Sequence, residues 1–179
     1  YYKSIKWAYV NGFVNGFQQT LEFRPEEHAT VGQALLVLSR YLGGVIPASN
    51  EKLLDAYKAY LKDEMSINLP TSIEILTIDR TINRQEFAQL LYSIIIKKNP
   101  RSLVEINGEN ISKFSDSSIA NIEINSLLAR NIMKNSGYES FLPLNGLSRG
   151  EMSSSIFNLS KYLKSVRFLL NTNNYPRGF

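Results

Sequence analysis

Two arginines carry the pattern with the most chemical meaning in this chain. Arg84 follows Asn83 and stands two residues before Glu86; Arg149 follows Ser148 and stands two before Glu151. A Ser or Asn followed three residues later by Glu reads as a capped helix start. The cap side chain accepts from the amide at N3, and the Glu reaches back to the amide of the cap. Each arginine then falls at N1. A carboxylate arriving there would meet a planar, two-pronged guanidinium, the positive end of the helix dipole and amides that the helix leaves open. Arginine at a solvated helix start has the same spacing, so what separates the two readings is recurrence.

Other residues have weaker chemistry. Trp7, the single tryptophan, suits either a core position or a flat face for a sugar ring. Gly12 and Gly16 suit tight turns and a close approach by a ligand. His28 follows Glu26 and Glu27, but adjacent residues in a loop lack the i, i+4 spacing that sets metal ligands on one helix face. No metal site or cofactor is expected. No carboxylate pair, Ser–His pair or phosphate-cradling loop stands out, and catalysis is not expected.

Composition bounds the rest. The chain has 179 residues, 44% of them hydrophobic, and a mean hydropathy of -0.17, values of a globular domain with room for one good core. No apolar run approaches the roughly 18–20 residues that cross a bilayer, so no membrane insertion is expected. The net charge of +4 leans towards an anionic partner. It is scattered; its one cluster, "KKNPR" at 97–101, reads as a solvated helix end with a proline stop. Cysteine is absent, which excludes disulfides, thiolate metal sites and thiol nucleophiles. The opening "YYKSIKWAYV" reads as a cut inside a longer protein.

The capped start does recur. Thr30 with Gln33 writes it a third time, and apolar residues flank every cap: Ala29 and Ala34, Ile82 and Phe87, Leu147 and Met152. Behind each runs a 3.6-residue apolar stripe: Val37, Leu38, Tyr41 and Leu42; Leu90, Leu91, Ile94 and Ile95; Ile156, Leu159, Tyr162 and Leu163. Phe23-Arg24-Pro25 and Phe141-Leu142-Pro143 precede the outer two caps in one register, while Leu76-Thr77-Ile78 holds the register without the proline. Upstream lie three further helical stretches, 4–17, 50–65 and 117–134. Each unit is thus helix, loop, short Phe-x-Pro segment and capped helix, too small to bury much alone, so three should share a core.

These residues resemble a tandem of three S-layer homology modules. "WAYVNGFVNGF" with "FRPEEHATVGQA" matches the first, "INRQEF" the second, and "FSD" at 114–116 with "FLPLNGLSRGEM" the third. "SINLPTSIEILTID" stands where the second module's glycine-rich loop is usual. The modules fall at 1–45, truncated at its start, at 46–100 and at 101–170, with a tail at 171–179. The resemblance implies an all-α, pseudo-threefold bundle of helix–loop–helix modules. It implies non-covalent anchoring of a larger, secreted surface protein to the cell wall or S-layer, through an anionic secondary cell-wall polysaccharide that sometimes carries pyruvate. Nucleic acid is not an expected partner. The family's ligand arginine carries over to Arg84 and Arg149; Val31 replaces it in the first module. With Trp7, Gly16 and the caps Thr30, Asn83 and Ser148 these form the expected glycan-binding set. A helical-repeat domain that binds protein is the rival, and peptidoglycan the rival ligand. Solenoids repeat core positions most faithfully, whereas here the copies agree best at the cap and its approach.

Overall fold

The computed structural model describes residues 1–17, 20, 22–44, 53–75, 77, 79–99, 121–135 and 140–172. "FSD", Pro100, Leu76, Ile78 and the tail beyond Thr172 lie outside them. Among the described residues the fold is all-α. Its helices are α1 (Tyr2–Val10), α2 (Val31–Tyr41), α3 (Leu53–Ala59) followed by a π-helical turn (Tyr60–Glu64), α4 (Thr71–Ile75), α5 (Arg84–Lys98), α6 (Asn121–Ala129) and α7 (Arg149–Thr172).

All three capping boxes form. The amides of Gln33, Glu86 and Glu151 donate to the side chains of Thr30, Asn83 and Ser148 at 3.2, 2.8 and 3.1 Å. The cap amides donate back to Gln33, Glu86 and Glu151 at 3.4, 3.0 and 2.9 Å.

The first helices of the outer two repeats end earlier than their sequence patterns suggest, and all three first helices stop in the same way. A residue with positive φ stands two positions after the last helical one: Gly12 at 72°, Ser66 at 52° and Asn131 at 53°. The next amide then turns back to the helix, Phe13 to the carbonyl of Ala8, Ile67 to that of Leu61 and Ile132 to that of Leu127. This is a left-handed helix stop. The second spans one residue more because the π-helical turn inserts one. Helix therefore covers 2–10 rather than 4–17, and stops at Ala129 rather than continuing to 134.

The segments leading into α2, α5 and α7 meet in a closed ring of backbone hydrogen bonds. Ala29 N–H donates to the carbonyl of Leu147 at 2.8 Å, Leu147 N–H to that of Ile82 at 2.9 Å, and Ile82 N–H to that of Ala29 at 3.0 Å. Ala29, Ile82 and Leu147, the apolar residues before the caps, are each 0% exposed. Single-residue bridges His28–Ser148, Thr30–Thr81 and Asn83–Gly146 flank the ring. Around it each capped helix packs on the first helix of the following repeat: α2 on α3 and its π turn, α5 on α6, and α7 on α1. The packing units cut across the sequence repeats. One core joins them all, with Leu35 and Leu38 of α2, Leu90, Leu91 and Ile94 of α5, and Ile156 and Leu159 of α7 among its members.

Candidate functional site

Arg84 and Arg149 sit at N1 as the spacing predicts, but the amides around them are not open. In α5 the N1 amide donates to the carbonyl of Asn145 at 3.0 Å and the N2 amide to that of Pro143 at 2.9 Å. In α7 the same two amides donate to Glu27 and Pro25, both at 2.8 Å. The caps hold the N3 amides. The expected contribution of free helix-end amides to ligand binding is therefore corrected. The neighbouring unit supplies carbonyls at the ring and satisfies groups that an isolated helix would leave to solvent.

Each arginine also clasps the next unit. Arg84 Nε donates to the carbonyl of Phe141 at 2.8 Å, and Arg149 Nε to that of Phe23 at 2.9 Å. The guanidiniums lie over the same phenylalanine rings at 4.5 and 4.7 Å. The Phe-x-Pro turns that present these carbonyls hold Arg24 and Leu142 at φ of 52° and 55°. Left-handed positions of this kind cost on the order of 1–3 kcal/mol, and the paired clasp holds the chain there. Where Val31 replaces the arginine, the sequence also lacks the Phe-x-Pro partner, since Leu76 stands at its place.

Beyond the shared clasp the two arginines differ. Arg84 is 2% exposed. Its remaining nitrogens donate to the carboxylate of Glu151 and the carbonyl of Lys134. Arg149 is 7% exposed. Its Nη2 reaches the carbonyl of Asn15 at 3.3 Å, its plane lies between Phe17 and Phe23, and Nη1 meets no acceptor among the described residues. Burial pulls the Arg149 pKa below its ordinary value, opposed by the charge of Glu27 and reinforced by that of Arg24.

Two cavities open beside these residues. A groove of about 610 Å³ runs between α1, α7 and the turn after α6. Ser4, Ser154, Ser155, Asn131, Asn135 and Asn158 line it, with Lys3 and Lys134 for charge, Arg84 and Glu151 at its side, and Tyr1 and Phe157 as aromatic walls. A smaller cavity of about 210 Å³ lies against Arg149, lined also by Arg40, Gln33, Asn15, Gly16, Phe17 and Phe23. Gly16 is among the residues that line it. Trp7 lines neither: its ring tilts against Phe13 and Phe157, both at 5.3 Å, between α1 and α7. The side chains of Thr30, Asn83 and Ser148 are occupied as caps.

The repeat pattern gave no signal for Arg40, Gln33 or Lys134 as lining residues. One signal was present for the large groove: Ser153-Ser154-Ser155 is a run of poor helix formers early in a 24-residue helix. Ser153 and Ser155 bond back to the carbonyls of Arg149 and Glu151. Ser154 shares a bond of 2.9 Å with Ser4 across the α1–α7 contact.

Compared with models of known protein families and with curated protein sequences, the chain matches none. No helix among the described residues is long and apolar enough to cross a membrane.

Proposed function

We propose that this chain is a wall-anchoring unit of the S-layer homology type, tethering a larger secreted surface protein to a cell-wall polysaccharide without a covalent bond. The observation that carries this reading is the 610 Å³ groove. Short hydroxyls and amides offer both donors and acceptors, which suits a polyhydroxylated chain. Aromatic walls suit the apolar faces of sugar rings, and two lysines suit acidic substituents on the polymer. The cyclic packing supports it: units that close on a ring leave recesses between neighbours where an extended polymer can lie. The reading is one of binding and assigns the chain no reaction.

The test is a pulldown with purified wall sacculi, before and after removal of the non-peptidoglycan polymer. The expected result is retention by intact sacculi and release from stripped ones. Equal retention by both would move the target to peptidoglycan; retention by neither would end the anchoring reading. A groove variant, Ser154→Trp, fills the cavity from a half-buried position on α7 and, with folding checked by circular dichroism, should reduce retention at least about tenfold, given that roughly 1.4 kcal/mol of lost contact is one decade in affinity.

A further inference from the structure

The dipeptide Asn–Gly occurs four times in this chain, at 11–12, 15–16, 107–108 and 145–146. It is open to a reaction that a chain performs on itself. Glycine has no Cβ, so its amide nitrogen can swing against the carboxamide of the preceding asparagine without hindrance. In a folded chain that N–H must be free of an acceptor, and the peptide unit must be free to rotate until its nitrogen meets Cγ. Asn107–Gly108 lies outside the described residues. The fold treats the other three differently.

Asn11–Gly12 meets neither condition. The Gly12 amide donates to the carbonyl of Tyr9 at 2.9 Å, and the carboxamide of Asn11 donates to that of Trp7 at 2.8 Å. A ψ of 3° at Asn11 holds the Gly12 nitrogen eclipsed with the Asn11 nitrogen, turned away from Cβ. Asn145–Gly146 is locked in its rotation. The carbonyl that joins the pair accepts from the Arg84 amide at 3.0 Å, the Asn145 amide donates to Leu142 at 3.1 Å, and the amide that follows, Leu147, belongs to the ring. A Cβ on Gly146 would come within 2.9 Å of His28 and of Thr81, so packing closes around it.

Asn15–Gly16 meets both conditions. It lies outside any helix, and Asn15 is exposed. The carboxamide of Asn15 and the amide of Gly16 have no hydrogen-bond partner among the described residues. The carbonyl between them accepts only from Arg149 Nη2, at 3.3 Å, which is longer than the usual range for such a bond. Both residues line the cavity of about 210 Å³ against Arg149 and another of about 680 Å³ against Tyr2, Tyr9 and Phe23, so water reaches the pair.

We propose that Asn15–Gly16 is a self-modification site, which deamidates through a succinimide and gives the chain a new carboxylate. The Gly16 nitrogen loses its proton to solvent and attacks Cγ of Asn15. The N–Cγ bond forms, the Cγ–Nδ2 bond breaks, and Nδ2 takes up a proton from solvent and leaves as ammonia. Water then adds to one of the two imide carbonyls and opens the ring. Opening at Cγ gives aspartate; opening at the main-chain carbonyl gives isoaspartate, with the backbone running through Cβ. Water is the only co-reactant and nothing is oxidised or reduced. In the isoaspartate the oxygen that Arg149 Nη2 holds becomes a carboxylate oxygen, so a neutral contact turns into a charge-assisted one. Either product lowers the net charge by one from +4. This chemistry needs no wall polymer and stands apart from the anchoring reading.

In the experiment the full chain is incubated in mildly alkaline buffer, with and without urea, and its chymotryptic peptides are mapped by mass spectrometry over time. Cleavage after Phe13 separates Asn11 from Asn15. Isoaspartate is read separately by enzymatic methylation with a protein isoaspartyl methyltransferase. In the folded chain Asn15 should convert at least about tenfold faster than Asn11 or Asn145, because a site held by two hydrogen bonds reacts only from its opened fraction. In urea the three should convert at similar rates, since only the fold distinguishes them. Asn15→Gln, whose longer side chain must close a larger ring, should abolish isoaspartate in its own peptide and leave the rates at Asn11 and Asn145 unchanged. Conversion of Asn11 or Asn145 as fast as Asn15 in the folded chain overturns the proposal. So does an Asn15 that converts in urea and stays intact in the folded chain, or isoaspartate that persists at that peptide in Asn15→Gln.

Discussion

Arg84 is first a structural residue. Its guanidinium is shared among the carbonyls of Phe141 and Lys134 and the carboxylate of Glu151, inside a position only 2% exposed. Truncation to Ala would leave three acceptors without their donor, one of them charged, and breaking a buried pair costs about 3–5 kcal/mol. Arg84→Ala should therefore fall at that end in a urea melt. Arg149→Ala removes two backbone acceptors' donors and no ion pair, so a loss of roughly 1–3 kcal/mol is expected. Equal losses would mean that the Glu151 pair adds no stability. Glu86 has a second residue-scale signature. Burial pushes its carboxyl up, but the bonds from Arg80, Ser72 and the Asn83 amide outweigh burial and hold its pKa below the ordinary 4.5. A depressed carboxyl stabilises the fold above its unfolded pKa, and that stability drains away as pH falls through the folded value. Stability should thus be level near neutrality and decline below about pH 4.5. Glu86→Gln should be less stable than the parent at pH 7, with the gap closing in acid; a gap independent of pH would assign the loss to packing.

At the scale of elements, the capped helices were readable because a cap is a short-range device. Thr30 with Gln33, Asn83 with Glu86 and Ser148 with Glu151 all act across three residues, so spacing alone specifies them. None of the three helix stops was read from the sequence; the first helical stretch ran on to 17, although a glycine at position 12 suits the positive φ found there. Ser66 and Asn131 do the same work without glycine, held at positive φ by the bonds that follow them, and nothing in residue type announces a serine there. Substitution at the caps tests their share. Asn83→Ala and Ser148→Ala should each cost about 0.5–2 kcal/mol. Leu91→Ala should cost roughly 2–5 kcal/mol, because Leu91 is 0% exposed in the shared core and leaves a cavity when truncated. Guanidinium melts giving Leu91→Ala the smaller value would place α5 away from that core.

For the whole molecule, the sequence showed three copies of one pattern but not how they interlock. The ring through Ala29, Ile82 and Leu147, the pairing of each capped helix with the first helix of the following repeat, and the cavity that joins Arg149 to Arg40 are all relations between repeats. Periodicity within a repeat carries no record of them. They have a consequence that can be measured. Because α7 packs on α1, and the ring ties the approach to α7 to those of α2 and α5, no repeat holds its own core and the three should unfold together. Trp7, the single tryptophan, lies against Phe13 and, across the α1–α7 contact, against Phe157. Its fluorescence therefore reports on the first and third repeats, while far-ultraviolet circular dichroism reports on every helix. Leu91 lies in the second repeat. If the chain is one cooperative unit, Leu91→Ala should move the Trp7 transition to lower denaturant by the same amount as the dichroism transition, and both probes should give one midpoint. If the repeats were independent, the substitution would leave the Trp7 midpoint where it was and split the dichroism curve in two. The ring of backbone bonds makes coincident transitions the expected result, and Leu147→Pro, which removes one of the three ring amides, should lower both midpoints together.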